Sequence, residues 1–333
     1  MLRAVDRATV RVSAGSAVVL RLESWPQEVP PTTAYLMVGE RCRRDCAFCA
    51  QARGSSARAD LLSRVSWPRY PLPDVARRVG RAFAEGVIER CCLQVTAGPG
   101  YVARTRQAVR AIVEEGAVPL CVCLRATRLS LFDELLGLGA QRVTLALDAA
   151  CERVYNEVKG PDWQRTLLLL RRAAERHPGR VGTHIMVGLG ETEAEVAGLL
   201  QAMQDAGIMT ALFAFTPVTG TALAHRPAPP LASYRRLQVA RHLICSSHAR
   251  AERFAYSRDG QIRSYGVELA RLRALLQNGQ AFRTSGCPGC NRPYYNERPG
   301  GPLYNYPCAL RPEEVAAATA MVLDSLAKPH GPG

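Results

Sequence analysis

The sequence lacks several features that would place the chain in a membrane or outside the cell. It has no uninterrupted apolar run of about 18 residues, the length that a membrane-spanning helix needs. Its first residues, MLRAVDRATVRV, lack the apolar stretch of a secretion signal. It also lacks any block of five consecutive Lys or Arg, although the net charge is +14. We therefore expect a cytoplasmic protein without membrane contact, for which nucleic acid is an unlikely partner.

Cysteine, by contrast, is abundant, with twelve residues in the chain. Thiols stay reduced in the cytoplasm, so metal or redox roles are favoured over disulfides. The cysteines form three sets along the chain. The first set is Cys42, Cys46 and Cys49; the middle set is Cys91, Cys92, Cys121, Cys123, Cys151 and Cys245; the last set is Cys287, Cys290 and Cys308.

The order of apolar patterns predicts the fold. Residues 1–33 are expected to form a leader, residues 34–246 the core and residues 247–333 a C-terminal extension. Within the core, strand-like runs alternate with helical patterns, and several of the helical patterns end in Gly. Such alternation predicts parallel βαβ units, hence an α/β barrel or a doubly wound sheet. The expected strands are 34–38, 90–96, 118–124, 142–148, 181–189 and 211–218.

The first cysteine set lies in the string GERCRRDCAFCAQ, directly after the first expected core strand. Its C-x3-C-x2-C spacing lets a short loop wrap an iron–sulfur cluster, with one thiolate on each of three irons. Two other interpretations stay open, a zinc site and three unrelated core thiols. Structural zinc prefers four ligands, and no fourth Cys or His lies nearby. A position at the end of a strand is typical of a catalytic site in a barrel.

This string resembles the signature of the radical S-adenosylmethionine (radical SAM) enzymes, with Phe48 at the aromatic position before the third cysteine. The resemblance implies a partial or complete TIM-type (β/α) barrel with a C-terminal cluster-binding extension. It also implies a 4Fe-4S cluster on Cys42, Cys46 and Cys49, whose free iron would chelate SAM. Reductive cleavage of SAM would then give methionine and a 5′-deoxyadenosyl radical that abstracts a hydrogen atom from an unactivated carbon.

The same resemblance implies SAM contacts at later strand ends. TAGPG (96–100), with Thr96 and Gly98, stands where the family contacts the SAM amino group. Asp148 would hold the ribose hydroxyls. The string MVGLGET resembles the motif of the fifth strand and contributes Gly188, Gly190 and Glu191. Taken alone, each of these features is equally compatible with an ordinary turn or helix cap.

Within the superfamily, residues 36–245 most resemble biotin synthase, which holds a second, 2Fe-2S cluster on three cysteines and an arginine inside its barrel. Cys92 and Cys123 match the first two of those cysteines, but the third position is Gly182, and Arg258 matches the arginine only loosely. The favoured interpretation of the middle cysteines is therefore small buried strand residues. Cys121 and Cys123, two residues apart, would face the same side of their strand.

The C-terminal segment contains Cys287 and Cys290 in a CPGC turn, with Cys308 after a longer loop. The turn presents two thiolates to one metal centre, either zinc or, as we favour, a second 4Fe-4S cluster with Cys308 as its third ligand. The string GCPGCNRPYYNERPGGPLYNYP resembles the tail of the two-protein, split lipoyl synthases. The single-chain lipoyl synthases have their auxiliary cysteines before the SAM motif, and this chain has no such set.

The tail resemblance implies sulfur insertion at C6 or C8 of an octanoyl chain on a lipoyl carrier protein or lipoyl domain. Such carriers are usually acidic, which suits a basic chain. It further implies a companion radical SAM subunit and an electron donor such as ferredoxin or flavodoxin. The second cluster would donate sulfide, so the tail is expected to close over the barrel mouth, with the lid shaped by Tyr294, Tyr295, Asn296, Glu297 and Arg298.

Three rival functions remain. A biotin-synthase-like enzyme without sulfur transfer would use the tail cluster to relay electrons or to anchor substrate. A zinc module on nucleic acid would bind no SAM. An RNA methylthiotransferase would need an RNA-binding domain, for which the last sixty or so residues are too few.

Overall fold

The fold is an eight-stranded sheet with helices packed along it, seen in a computed structural model that describes residues 8–297 and 300–327. The strands are β1 (Thr9–Val12), β2 (Thr33–Val38), β3 (Leu61–Leu62), β4 (Val65–Ser66), β5 (Arg69–Pro71), β6 (Arg90–Val95), β7 (Leu120–Cys123), β8 (Arg142–Thr144), β9 (Val181–Val187), β10 (Met209–Ala214), β11 (Ala255–Tyr256) and β12 (Ile262–Ser264).

Ten α-helices and two short 3₁₀ turns, Ala251–Arg253 and Gln280–Phe282, occur in the described part of the chain. The helices are α1 (Ala14–Val19), α2 (Leu72–Ala84), α3 (Tyr101–Glu114), α4 (Ser130–Gly137), α5 (Glu152–Lys159), α6 (Trp163–Arg176), α7 (Glu193–Asp205), α8 (Leu231–Cys245), α9 (Leu269–Leu276) and α10 (Pro312–Ala327). None of these helices is long and apolar enough to span a bilayer.

Six parallel strands form the wall of a partial barrel, in the order β10-β9-β8-β7-β6-β2. The expected alternation of strand and helix is therefore confirmed. Two further strands extend the sheet, because β1 pairs antiparallel with β2 and β5 pairs antiparallel with β1. Thus residues 9–12, which fall in the segment expected to be a leader, belong to the sheet.

Alternate side chains of the parallel strands divide between two sides of the wall. Leu36, Leu93 and Val122 belong to the large core between the strands and the helices. Their chain neighbours Tyr35 and Cys92 line a cavity on the inner side. The strands therefore build both a hydrophobic core and an enclosed site.

The C-terminal segment 284–297 closes the gap between the two ends of this wall. On one side, Ser285 Oγ accepts a hydrogen bond from the Leu212 backbone in β10 (2.8 Å), and Asn296 Nδ2 donates to the Ala214 carbonyl (2.9 Å). On the other side, the Arg292 backbone N–H donates to the hydroxyl of Tyr35 in β2 (3.0 Å). The bonds of Ser285 and Asn296 satisfy backbone groups of the edge strand β10. Those groups would otherwise lack hydrogen-bond partners inside the protein.

A buried ion pair links the last core helices to the extension. Glu193 in α7 accepts two hydrogen bonds from the Arg236 guanidinium in α8 (2.5 and 2.9 Å) and one from the Ile262 backbone in β12 (2.9 Å). The side chains of Glu193 and Arg236 are only 8% and 3% exposed. Neither charge has access to bulk water, so each charge is stabilised by the other.

We expect the substitution Glu193→Ala to lower the free energy of unfolding by about 3–5 kcal/mol, because it leaves the Arg236 guanidinium buried without its counter-charge. Denaturant unfolding measures this change. The matched control is Glu252→Ala, which removes an exposed carboxylate paired with Arg250 and should leave stability nearly unchanged. Equal effects of the two substitutions would contradict this account.

Candidate active site

The loop that follows β2 gathers the first cysteine set. The Cys49 backbone N–H donates to the Cys46 carbonyl (3.0 Å), and the Arg44 backbone N–H approaches Cys42 Sγ (3.4 Å). Arg41 anchors the loop by donating to the carbonyls of Ala52 (3.1 Å) and Ala57 (2.9 Å), and also to that of Ser55. The loop leaves the carboxyl end of a parallel strand, where barrel active sites are built.

The thiols of this loop are close enough to influence one another's ionisation. Burial raises the pKa of Cys49 to about 12, with the neighbouring thiols of Cys46 and Cys42 adding to the increase. Burial likewise raises the pKa of Cys46. A buried thiol stays protonated unless a cation offsets the thiolate charge, so this donor set suits iron.

An interior cavity of about 260 Å³ lies within the barrel wall, and Cys49 of the first cysteine set and Cys287 and Cys290 of the last set line it. Most of its lining side chains are apolar or aromatic, which suits a hydrocarbon or an adenosyl group. These side chains include Tyr35, Phe48, Leu62, Trp67, Val95, Met186, Met209, Phe213 and Tyr295. A few polar groups, among them Gln94, Asp148, His184 and Arg292, also line it.

The loops after β2 and β6 pack tightly against each other at the expected SAM contacts. The Thr96 hydroxyl donates to the Glu40 carbonyl (2.6 Å), and the Thr96 backbone N–H donates to the Val38 carbonyl (3.0 Å). A Cβ on Gly98 would lie 3.0 Å from the carbonyl oxygens of Glu40 and Arg41. Thr96 and Gly98 thus hold the cysteine loop in place, whether or not they also contact SAM.

Gly39, which the sequence analysis did not single out, is the tightest point of this packing. It adopts a positive φ of 102°, and a Cβ there would lie 2.5 Å from the Thr96 carbonyl oxygen and clash with the Thr96 hydroxyl. Gly100 also has a positive φ, of 69°, but a Cβ on it would meet nothing within 4 Å. Alanine substitutions at these two glycines therefore distinguish the effect of backbone strain alone from the effect of displacing the loop.

We expect Gly39→Ala to weaken SAM binding by about tenfold or more, because it displaces the cysteine loop from the loop after β6. Gly100→Ala carries only the strain of a left-handed residue, roughly 1 kcal/mol of stability, and should bind SAM normally. Calorimetric titration of the anaerobically reconstituted protein with SAM measures both affinities. Wild-type affinity in Gly39→Ala would show that this packing does not position the site.

Asp148 follows the end of β8 by four residues. Its backbone is in the left-handed conformation, with a φ of 64°. Its carboxylate accepts a hydrogen bond from the Lys159 ammonium (2.7 Å), which also donates to the Ala146 carbonyl (2.7 Å). Burial acts to lower the pKa of Lys159, but the charge of Asp148 and the thiol of Cys46 leave it raised. A fixed positive charge therefore lies beside the cysteine loop and orients the carboxylate that the sequence assigned to the ribose.

Lys159 was not identified from the sequence, although it lies in the segment that resembles biotin synthase. The signal that could have found it is its position at the C-terminal end of α5, one residue before Gly160. That helix returns toward the strand end from which Asp148 projects. Helical spacing alone does not show that a lysine there turns inward.

The turn after β9 is arranged around Glu191. The carboxylate accepts hydrogen bonds from the backbone N–H groups of Gly188 (2.6 Å) and Leu189 (3.0 Å). Gly188 and Gly190 have positive φ values of 107° and 119°, and a Cβ on Gly188 would lie 2.9 Å from Pro229. Glu191 thus shapes the turn that presents these glycines, and its carboxylate is already engaged by the chain itself.

The CPGC turn enters the cavity from the end opposite the first cysteine set. The Pro288 carbonyl accepts a hydrogen bond from Arg90 (2.8 Å), and Cys287 Sγ lies 3.3 Å from Arg142 Nη1. Arg90 and Arg142 are the first residues of β6 and β8, whereas Cys49 follows the last residues of β2. Because these strands are parallel, the two cysteine sets lie at opposite ends of one cavity.

This placement corrects the expectation that the tail closes only over the barrel mouth. The tail begins at the amino ends of the strands and then runs up the open side of the barrel. Tyr295, one of the expected lid residues, lines the cavity with its ring centroid 5.9 Å from that of Phe213. Asn296 reaches the end of β10, and Arg298 lies outside the described residues.

Cys308, the expected third ligand of the tail site, does not line the cavity that Cys287 and Cys290 reach, although its neighbour Pro307 lines an outer groove beside them. Cys308 is exposed, and it lines neither the interior cavity nor the outer groove to which Cys287, Cys290 and Pro307 contribute. Arg258, the loose match to the biotin synthase arginine, lies exposed between β11 and β12. Arg142, at the start of β8, reaches Cys287 instead, and Arg292 of the tail lines the cavity.

The middle cysteines divide between the two sides of the wall. Cys91 belongs to the helix-facing core, whereas Cys92, Cys121 and Cys123 line the cavity. Cys123 Sγ lies 3.8 Å from Nδ1 of His184, whose pKa is lowered to about 4 by burial. The imidazole is therefore neutral at physiological pH. Cys91, Cys121 and Cys123 are buried strand residues, as expected, and Cys121 and Cys123 face the same side of β7, as predicted. Cys92, Cys121 and Cys123 also point toward the site.

Comparisons with known proteins agree with this architecture. The family model of the radical SAM superfamily matches residues 36–203. Solved structures share the fold at low identity. They include methylornithine synthase, with a TM-score of 0.52, 16% identity and coverage of 64% of this chain and 62% of that one. Another is an [FeFe]-hydrogenase maturase from Carboxydothermus hydrogenoformans, with a TM-score of 0.51, 16% identity and coverage of 73% and 55%.

Curated relatives of similar sequence are named lipoyl synthase. That of Trichlorobacter lovleyi is 29% identical over 188 residues, covering 52% of this chain and 60% of its own length. That of Leptothrix cholodnii is 26% identical and covers 71% of this chain and 72% of its own. That of Sorangium cellulosum is 24% identical and covers 87% and 86%. Several other relatives of the same name are matched over only about half of their own length.

Proposed function

The chain belongs to the radical SAM superfamily, and from that premise we propose that it inserts sulfur at C6 or C8 of a protein-bound octanoyl chain. The observation that carries the proposal is that Cys49 of the first cysteine set and Cys287 and Cys290 of the CPGC turn reach one apolar cavity from opposite ends. One set suits the cluster that binds SAM, and the other suits a source of sulfur. The names of the curated relatives support the same reaction.

The residues of the β2 loop fit a 4Fe-4S cluster, because three thiols on one short loop leave an iron free for SAM. Bound there, the cluster and SAM supply a 5′-deoxyadenosyl radical. The chain's own part is to hold and enclose these groups. Cys42, Cys46 and Cys49 provide the thiolates, and Lys159 keeps the Asp148 carboxylate oriented toward the cavity.

The cavity lining supports an acyl chain as the substrate. Side chains such as Leu62, Met186 and Phe213 offer an apolar surface without hydrogen-bond demands. A chain that enters from the SAM side places its distal carbons toward the CPGC turn. C6 and C8 of an octanoyl group are such distal carbons, which favours attack there over attack near the carbonyl.

The charge of the protein supports an acidic carrier for this acyl chain. The net charge is +14, and Arg43, Arg53 and Arg128 are exposed near the loops at the carboxyl ends of the strands. Charge complementarity of this kind speeds the encounter with an acidic lipoyl domain or lipoyl carrier protein. The proposal also includes a companion radical SAM subunit and a reductant of the ferredoxin or flavodoxin type.

Deuterium transfer tests the proposal. The reconstituted protein is given SAM, dithionite and octanoylated lipoyl domains that carry deuterium at C6, at C8 or, as the control, at C2. We expect deuterium in 5′-deoxyadenosine from the C6 or the C8 label and none from the C2 label. Formation of 5′-deoxyadenosine without deuterium from either distal position would refute this substrate.

A further inference from the structure

We propose that Cys92, Cys121, Cys287 and Cys290 together bind a second iron–sulfur cluster, at the amino end of the barrel strands. The site combines two strand thiols with the two thiols of the CPGC turn. It differs from the site expected from sequence, because it takes two ligands from the barrel wall and none from Cys308. The proposal concerns metal loading, so it stands or falls separately from the sulfur-insertion reaction.

The two strand thiols are neighbours by register. Cys92 in β6 is the direct partner of Cys121 in β7, so their side chains leave adjacent strands on the same side of the sheet. Both side chains line the same cavity. Parallel pairing thus fixes one pair of donors on a rigid part of the fold.

The CPGC turn brings the second pair to them. The Cys290 backbone N–H donates to the Cys287 carbonyl (3.1 Å), and the Thr32 hydroxyl donates to the Gly289 carbonyl (2.6 Å). Cys287 Sγ lies 3.3 Å from Nη1 of Arg142, which is the register partner of Cys121. Cys290 Sγ lies 3.3 Å from the Tyr35 hydroxyl, and Cys290 and Cys92 both pack against the apolar cluster to which Tyr35 belongs. All four thiols therefore share one end of the cavity.

Positive charge surrounds this thiol group. Arg142 reaches Cys287 through Nη1, and its buried Nε has no hydrogen-bond partner in the described structure. Arg292, buried on the other side, interacts electrostatically with Cys290. Four thiolates on an iron–sulfur core carry a net negative charge, which guanidinium groups offset at low dielectric. The uncommitted Nε–H of Arg142 can donate to a sulfide of such a core.

The spread of the donors favours a polynuclear cluster over a single ion. The four donors come from two strands and a turn, so their sulfurs are spread around one end of the cavity. Iron–sulfur cores distribute their cysteines over several irons and so need donors around a larger volume. A four-cysteine zinc site needs all four sulfurs within about 2.3 Å of one point.

The test is iron and acid-labile sulfide per chain after anaerobic reconstitution, followed by Mössbauer and EPR spectroscopy. The barrel pair Cys92→Ala/Cys121→Ala is compared with the tail pair Cys287→Ala/Cys290→Ala. The matched controls are Cys91→Ala, on the same strand but facing the helices, and Cys308→Ala. We expect wild type and controls to hold about six irons with a 2Fe-2S core or about eight with a 4Fe-4S core.

Both pair variants should then fall to about four irons, the content of the SAM cluster alone. Iron that stays at the wild-type level in the barrel pair, a loss in Cys308→Ala, or zinc in place of the second iron centre would each overturn the proposal. Circular dichroism checks folding. If the barrel pair does not fold, the single variant Cys121→Ser tests the assignment instead. Its second cluster should show an altered spectrum, and an unchanged spectrum would overturn the assignment.

Discussion

Replacing Cys42, Cys46 and Cys49 together by alanine should abolish SAM cleavage, lowering the rate of 5′-deoxyadenosine formation by about a million-fold or more. These thiols are the only cysteines on the loop at the carboxyl ends of the strands. Without them the chain lacks the ligands for the cluster that would bind and reduce SAM. The measurement is 5′-deoxyadenosine by liquid chromatography after reduction with dithionite.

The control for this loss is the pair Cys151→Ala/Cys245→Ala. Cys151 precedes α5 and Cys245 ends α8, and neither lines the cavity. The control should cleave SAM like the wild type. If it lost activity as completely as the triple variant, the loss would reflect the removal of thiols in general and not of the cluster ligands.

Replacing Cys287 and Cys290 by alanine should have a different effect, because it separates the two halves of the reaction. Sulfur insertion should fall to background, since the CPGC turn holds the proposed sulfur source. Cleavage of SAM should continue, because the first cysteine set lies at the opposite end of the cavity. Mass spectrometry of the octanoylated domain and assay of 5′-deoxyadenosine follow the two products in one reaction.

Cys308→Ala is the matched control for the tail variant, since Cys308 is exposed and lines no part of the cavity. It should keep both products. Continued sulfur insertion by the Cys287→Ala/Cys290→Ala protein would show that the tail thiols do not hold the sulfur source. Loss of SAM cleavage together with insertion would show that the two ends of the cavity are not independent.

Much of the barrel could be predicted from the sequence because its signals are local. Each core strand is a short apolar run, and β2, β6, β9 and β10 lie close to the expected runs. The C-x3-C-x2-C loop is also local, so its position after β2 followed directly. The helix α8 was not identified, because its buried Arg235, Arg236 and Gln238 make an interior helix look polar.

The second end of the cavity could not be predicted because it depends on contacts distant in sequence. Whether Cys92 faces the helices or the cavity depends on the register between strands, since a shift of one residue reverses the faces. The CPGC turn meets Arg90 across 198 positions of sequence, a distance at which no periodic pattern carries information. The position of Cys308 relative to the turn is equally beyond the sequence, because a long loop has many geometries that sequence does not rank.

The most direct test of the central claim, that the far end of the cavity supplies sulfur to the acyl chain, is a single turnover after reconstitution with isotopically labelled sulfide. The octanoylated lipoyl domain, SAM and reductant are added without free sulfide, and the product is analysed by mass spectrometry. The account predicts labelled sulfur in the acyl chain, matched by loss of cluster sulfide. A product with 5′-deoxyadenosine formed but no labelled sulfur in the acyl chain would contradict it.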